Sequence, residues 1–158
     1  MGENPKIVWL QSYLKLQCKI DQMKDKLTRL DNARFLPAMP ESDGSKRAIG
    51  RSDRMASAQI RYDEYKEKVS PKIRVAKAKM QAIEDAVDAI DDPLEQVVLT
   101  LRYLDGEDGY KLMRWRLVAQ AMYHSDDEAD LTRVSRLHGA ALLSLQMEDD
   151  ATNEESDL

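Results

Sequence analysis

The residues best suited to contact a ligand lie together near the C-terminus. They are two arginines, one histidine and three hydroxyl residues: Ser125, Thr132, Arg133, Ser135, Arg136 and His138. Arginine donates several N–H groups from a planar fork, which matches both guanine edges and phosphate oxygens. From Leu131 to Met147 the chain has two positive charges and no negative one. This pattern favours contact with an anionic partner.

The other reactive residue types do not form a catalytic or metal-binding pattern. Cys18 is the single cysteine, so neither an internal disulfide nor a four-thiolate zinc site can form. His124 and His138 have no Cys or carboxylate at metal-ligand spacing, and the acidic run 126–130 lacks the glycine and terminal glutamate of a calcium loop. No glycine-rich phosphate loop and no Ser/His/Asp order is present. We therefore expect no enzyme activity, no cofactor and no metal.

Three short helices position the candidate residues. Apolar spacing predicts these helices at 94–104, 110–123 and 131–147, separated by a turn at 105–109 and an acidic loop at 124–130. Three helices with a tight connection before the last form a helix-turn-helix, whose final helix enters the DNA major groove. The alternative is that the polar face of the last helix is only the solvated side of a three-helix bundle.

The first half of the chain predicts two long helices. Apolar residues in the first, 5–34, alternate at spacings of four and three: Trp9, Tyr13, Leu16, Ile20, Met23, Leu27 and Leu30. The second runs from about 52 to 90, with a kink or a break expected at Pro71. The connection 35–52 is rich in Pro, Gly and Ser and is expected to be flexible. The two helices can close a hairpin within one chain or pair between subunits as a coiled coil.

Composition predicts an all-α fold with three regions. Leu, Ala and Met dominate the apolar residues, and only 6 Gly and 5 Pro interrupt the chain. We expect a helical hairpin or coiled coil that forms oligomers over 1–92, a helix-turn-helix module over 93–147 and an acidic, disordered tail over 148–158. No apolar run approaches the ~20 residues that span a bilayer, so a cytoplasmic protein without a membrane contact is expected.

Charge is distributed unevenly along the chain. The 24 Lys and Arg against 29 Asp and Glu give a net charge of −5, but residues 46–79 contain eleven basic and four acidic side chains. Arg47 and Arg51 lie in this basic stretch and are candidate contacts to the DNA backbone. The alternative is that these side chains solvate the outer face of a coiled coil.

Three segments of the second half carry a family resemblance. They read DPLEQVVLTLRYLDG over 92–106, WRLVAQAMYHS over 115–125 and VSRLHGAAL over 134–142. The first resembles the opening of the sigma-factor region-four helix-turn-helix. Together they resemble the phage-encoded regulators of the ArpU and RinA type and a related prophage family. In this chain the acidic residues 126–130 separate the last two motifs, where the family has a shorter connection.

The resemblance implies a phage or prophage transcriptional regulator in the cytoplasm of a bacterial host. Its partners would be double-stranded DNA and RNA polymerase, and it would form a homodimer or a higher homo-oligomer. Two other functions stay open. A small-terminase-like DNA-packaging protein also combines helix-turn-helix and helical oligomerisation, and a non-catalytic adaptor would use the same bundle to hold another protein.

Overall fold

The computed structural model describes residues 3–35 and 44–147, and of residues 44–52 it describes the backbone only. Its elements are α1 (Pro5–Phe35), α2 (Gly44–Asp88), α3 (Pro93–Leu99), a π-helical segment (Thr100–Asp105), α4 (Trp115–Tyr123) and α5 (Glu128–Ser144). In this part of the chain, β structure is limited to one isolated bridge between Glu107 and Lys111. The predicted all-α class is confirmed.

The chain divides into two compact units. We call residues 1–18 with 78–158 the bundle unit, and residues 19–77 the two-helix unit. The bundle unit thus includes the start of α1 and the end of α2. The sequence had assigned both helices entirely to a region that ends at residue 92.

One hydrophobic core holds the bundle unit together. The long helices contribute Leu10, Ile83 and Val87, none of which is more than 1% exposed. The shorter helices and the residue that follows α5 contribute Val98, Leu99, Tyr103, Val118, Val134, Ala141 and Leu145. Because the ends of the long helices are buried in this core, a boundary near residue 92 does not coincide with the division that the structure shows.

α1 begins and ends as its sequence predicts. Asn4 caps the helix, since its side-chain oxygen accepts the backbone N–H of Lys6 at 2.9 Å, and Pro5 occupies the first helical position. The predicted helix over 5–34 is therefore confirmed to within one residue.

α1 and α2 run antiparallel in the two-helix unit. The ammonium of Lys26 lies 4.5 Å from the ring centre of Tyr65, and the guanidinium of Arg34 lies 4.1 Å from that of Tyr62. A later residue of α1 thus contacts an earlier residue of α2, which is the pairing of a hairpin within one chain.

α2 is longer than its sequence predicts. The helix begins at Gly44 rather than near Ser52, and it is continuous through Pro71, so the predicted break does not occur. Pro71 removes one backbone hydrogen bond, but the residue is exposed, so water can satisfy the freed carbonyl. In the preceding turn, the Ser70 hydroxyl donates to the Lys66 carbonyl at 2.7 Å.

A tight junction joins α2 to α3. The Asp92 carboxylate accepts the backbone N–H of Leu94 at 2.9 Å and caps α3. The Gln96 amide donates to the carbonyl oxygens of Asp88 (2.9 Å) and Ile90 (2.6 Å), which the end of α2 leaves free.

Two expectations for the short helices are wrong. Apolar spacing predicts that Leu94 and Val97 share one face of the first short helix with Val98, but Val98 is buried while Leu94 and Val97 are 50% and 41% exposed. The helix expected at 110–123 begins at Trp115 instead, because the chain before it folds back on itself. Glu107 and Lys111 exchange backbone hydrogen bonds of 2.7 and 3.3 Å in this reversal.

Candidate nucleic-acid interface

A four-residue turn, 124–127, joins α4 to α5. His124 ends α4 in the left-handed conformation, with a φ of 58°. The carboxylate of Asp127 accepts the backbone N–H of Asp130 at 3.0 Å and so begins α5. The sequence placed this helix start at Leu131. The helix begins three residues earlier, and the acidic loop is correspondingly shorter.

Ser125 stabilises this turn. Its hydroxyl oxygen accepts the backbone N–H of Asp127 at 3.2 Å, and the residue as a whole is half-buried. The pKa of Asp127 is lowered, first by the hydrogen bond from the Asp130 N–H and also by Ser125 and by the charge of Arg133. Asp127 therefore stays ionised as the cap, where it complements the positive end of the helix dipole.

Ion pairs occupy two of the acidic side chains around the turn. Asp126 contacts the guanidinium of Arg116 on α4 at 3.1 Å, and Asp130 contacts that of Arg133 at 3.4 Å. Such exposed pairs contribute little to stability, about 0–1 kcal/mol each. They do, however, offset part of the negative charge that would oppose an approaching phosphate.

The outer face of α5 presents four of the predicted residues to solvent: Thr132, Arg133, Ser135 and Arg136. Arg133 is engaged, since it pairs with Asp130 and lies 5.7 Å from the Tyr123 ring centre. Arg136 makes no ion pair with any residue that the structure describes. Arg136 is therefore the cation on this face that is most available to a ligand.

His138 lies on the other side of α5. Its Nε2 is 2.7 Å from the Tyr103 hydroxyl, and its ring packs edge-on against Trp115 with centroids 4.7 Å apart. Burial, and secondarily the charge of Arg102, lowers the pKa of His138, so the ring is neutral at pH 7. Of the predicted contact residues on α5, His138 is the one that the structure turns toward the protein interior.

The pH dependence of stability should report this environment. Because the folded-state pKa of His138 lies below its unfolded value of about 6.5, the folded state binds fewer protons than the unfolded state. The neutral ring therefore contributes fully to the free energy of unfolding above the unfolded-state pKa of about 6.5, and this contribution is lost as the pH falls below it. Urea denaturation at pH values between about 7.5 and 5.5 should show a smaller loss for His138→Gln than for the wild type. Equal slopes for His138→Gln and the wild type would contradict the placement of His138.

A cleft of about 570 Å³ adjoins this side of α5. Residues of α1, the π-helical segment, α4 and α5 line it, among them Arg102, Trp115 and His138. The Arg102 guanidinium lies 4.3 Å from the Trp115 ring centre and donates to the Met113 carbonyl at 2.5 Å. The sequence did not indicate Arg102 as a candidate for this surface. The cation at 102 and the aromatic at 115 were too far apart in sequence to be connected.

Other expectations concern Arg47, Arg51, the acidic tail, metal binding and the membrane. Arg47 and Arg51 belong to α2, but the structure describes only their backbone, so their side chains lie outside the described part of the chain. The acidic tail 148–158 also lies outside it. In the described part of the chain, no group of three or more His, Cys, Asp or Glu is placed to hold a metal ion. None of the described helices has an apolar stretch that could cross a bilayer.

No family model, curated protein or solved structure matches the chain.

Proposed function

We propose that the chain is a phage-encoded transcriptional regulator that binds double-stranded DNA through α4, the turn 124–127 and α5. A turn of three or four residues before the recognition helix is typical of a helix-turn-helix. The observation that carries the proposal is Arg136, exposed and without an ion pair in the described residues, on the helix that follows such a turn. The proposed function does not include catalysis.

The N-terminal half of α5 suits contact with DNA. In helix-turn-helix proteins, residues near the start of the second helix meet base edges. Arg136 can donate to a guanine edge, and Arg133 can exchange its exposed pair with Asp130 for a phosphate. Thr132 and Ser135 offer hydroxyls beside them, and Ser125 supports the turn. His138 is left out of this contact set because Tyr103 occupies its Nε2.

Arg136→Ala should weaken binding to a DNA fragment from the promoter region of the protein's own genome. The loss of a bidentate base contact costs about 1–3 kcal/mol, which corresponds to a roughly 5- to 150-fold higher Kd. Fluorescence anisotropy with a labelled duplex measures the change. Lys15→Ala is the matched control, because it removes one exposed positive charge from α1 in the same unit.

The control should bind as tightly as the wild type. An unchanged Kd for Arg136→Ala, or an equal loss in both variants, would contradict the assignment of α5 as the recognition helix. Light scattering on the same samples separates the dimer expected of a regulator from the ring of many subunits expected of a small-terminase-like protein.

Exposed apolar side chains favour a second candidate, a protein-binding adaptor. Leu143 is 85% exposed on α5, and Leu94 and Val97 are exposed on α3. Apolar side chains exposed in this way are typical of protein contact sites when they lie together. RNA polymerase would be the partner of a regulator that uses both surfaces. Stable capture of polymerase by the wild type but not by Leu143→Glu, without any DNA binding, would favour the adaptor over the DNA-binding function.

A further inference from the structure

The two-helix unit contains most of the positive charge of the molecule. Residues 19–77 contain fifteen basic and nine acidic side chains, a net charge of +6, whereas the rest of the chain has a net charge of −11. The proposed recognition helix thus belongs to the acidic unit. Attraction to a polyanion must come mainly from the other unit, because sequence-independent affinity for DNA depends on basic side chains at phosphates.

Four basic residues form a straight row along α2. Arg54, Arg61, Lys68 and Lys72 are separated by seven, seven and four residues, which at ~100° per residue places them within about 40° of one another around the helix axis. All four are exposed. We call these four residues the basic row; it is about 27 Å long.

Carboxylates of the described chain do not neutralise the basic row. None of its four residues makes an ion pair with a described residue. Glu64 lies beside the row, four residues before Lys68, but does not pair with it, and Asp63 and Glu67 lie on the opposite side of the helix. Lys68 and Lys72 are four residues apart, a spacing at which like charges destabilise a helix. A bound anion would relieve this repulsion.

We propose that the basic row binds the phosphate backbone of duplex DNA without regard to sequence. The length of the row equals the rise of about eight base pairs at 3.4 Å per pair. The inference rests on the proposed function in taking DNA as the ligand. It assigns the electrostatic part of the affinity to the two-helix unit rather than to α5.

The surroundings of the row favour a duplex over single-stranded nucleic acid or a membrane. Single strands are held by aromatic side chains on which bases stack. The nearest aromatics, Tyr62 and Tyr65, are part-buried, with Arg34 and Lys26 over their rings. Membrane-surface helices need bulky apolar residues beside their cations. Met55, Ile60 and Val75 are exposed on α2. Of these three, only Val75 lies on the side of the row, since Met55 and Ile60 are about 100–120° around the helix axis from its middle.

Two triple variants of the full chain test the proposal. Arg61→Gln with Lys68→Gln and Lys72→Gln removes three charges from the row. Lys66→Gln with Arg74→Gln and Lys77→Gln removes three exposed charges from other faces of the same helix. Anisotropy titrations use a random-sequence duplex of ~20 base pairs in about 50 to 200 mM KCl, and circular dichroism checks that each variant is folded.

The row variant should lower the slope of log K against log salt by about 2.7, since each phosphate contact contributes about 0.9. The second glutamine variant, at Lys66, Arg74 and Lys77, should keep most of the wild-type slope. A charge-conserving variant, Arg61→Lys with Lys68→Arg and Lys72→Arg, should bind as the wild type. Equal losses in the two glutamine variants would overturn the proposal. So would the absence of salt-dependent binding by the wild type, or tighter binding to single-stranded DNA or to vesicles containing phosphatidylserine.

The experiments distinguish a failure of the proposed recognition helix from a failure of the proposed basic row. Arg136→Ala tests sequence-specific affinity, while the row variants test the salt dependence of binding to a random duplex. If Arg136→Ala leaves specific affinity unchanged while the row variant loses its salt slope, the recognition helix is wrongly assigned but the basic row stands. A loss of specific affinity in Arg136→Ala with no effect of the row variant would overturn the row alone.

Discussion

Replacement of Tyr103 by alanine should lower the free energy of unfolding by about 3–5 kcal/mol. Tyr103 is 2% exposed and is the largest of the fully buried side chains. Its ring lies in the core of the bundle unit, and its hydroxyl is 2.7 Å from Nε2 of His138. Alanine leaves a cavity where the ring was and removes this link to α5. Urea denaturation followed by circular dichroism measures the loss, which is a large part of the ~5–15 kcal/mol typical of a domain.

Tyr103→Phe is the matched control for the ring. It keeps the packing and removes the hydrogen bond, so it should cost about 1 kcal/mol. A loss in Tyr103→Phe as large as that in Tyr103→Ala would show that the hydroxyl, not the ring, stabilises the unit. A loss below about 1 kcal/mol in Tyr103→Ala would contradict the core described above.

Gly106→Ala should destabilise the bundle unit by about 3–5 kcal/mol. Gly106 follows the π-helical segment with a φ of 61° and a ψ of −160°, a combination that is essentially restricted to glycine. A Cβ at this position would overlap the backbone oxygen of Lys111 and the Cδ1 atom of Leu14 on α1. The backbone oxygen accepts the Glu107 N–H at 2.7 Å, so it cannot move without breaking the chain reversal.

Gly109→Ala separates conformational strain from this steric overlap. Gly109 also has a positive φ, 83°, but a Cβ there would meet only the end of the Lys111 side chain, at 3.8 Å. Gly109→Ala should therefore lower the free energy of unfolding only by the strain of the left-handed conformation, about 1–2 kcal/mol. Thermal and urea denaturation of both variants give the comparison. Equal losses would mean that the space around Gly106 is not limiting.

The long helices could be predicted from sequence because their pattern is redundant. Seven residues of α1 repeat at spacings of four and three, and none of those residues is exposed in the structure. Asn4 and Pro5 mark the start of α1 by independent signals, a cap and a fixed φ. Where several local preferences agree, tertiary contacts change the position of a helix boundary little.

The start of α5 could not be fixed in the same way. Asp126, Asp127 and Asp130 are all acceptable caps, so local preference does not choose among them. The structure selects Asp127, whose carboxylate accepts the Asp130 N–H, while Asp126 pairs with Arg116 on α4. This pairing joins the turn 124–127 to α4 and is not visible in the local sequence. The result is a connection of helix-turn-helix length, shorter than the acidic run alone predicted.

The inward orientation of His138 could have been predicted from the spacing of residues along α5. His138 lies four residues after Val134 and three before Ala141, both buried, so helical periodicity groups it with the core face. It is also two residues from Arg136, which puts it on nearly the opposite side of α5. The exposure of Leu94 and Val97 had no comparable signal. α3 passes into a π-helical segment at Thr100, which the apolar spacing of a regular helix does not predict.

Selection of bound fragments from a pool of random-sequence duplexes, followed by sequencing, tests the DNA-binding role of α5 most directly. The wild-type chain should enrich a defined motif. Arg136→Ala should lose enrichment at one or more positions of that motif, while Lys15→Ala should recover it unchanged. If the wild type enriches no motif, or if Arg136→Ala recovers the same motif as the wild type with the same enrichment, α5 is not the recognition helix.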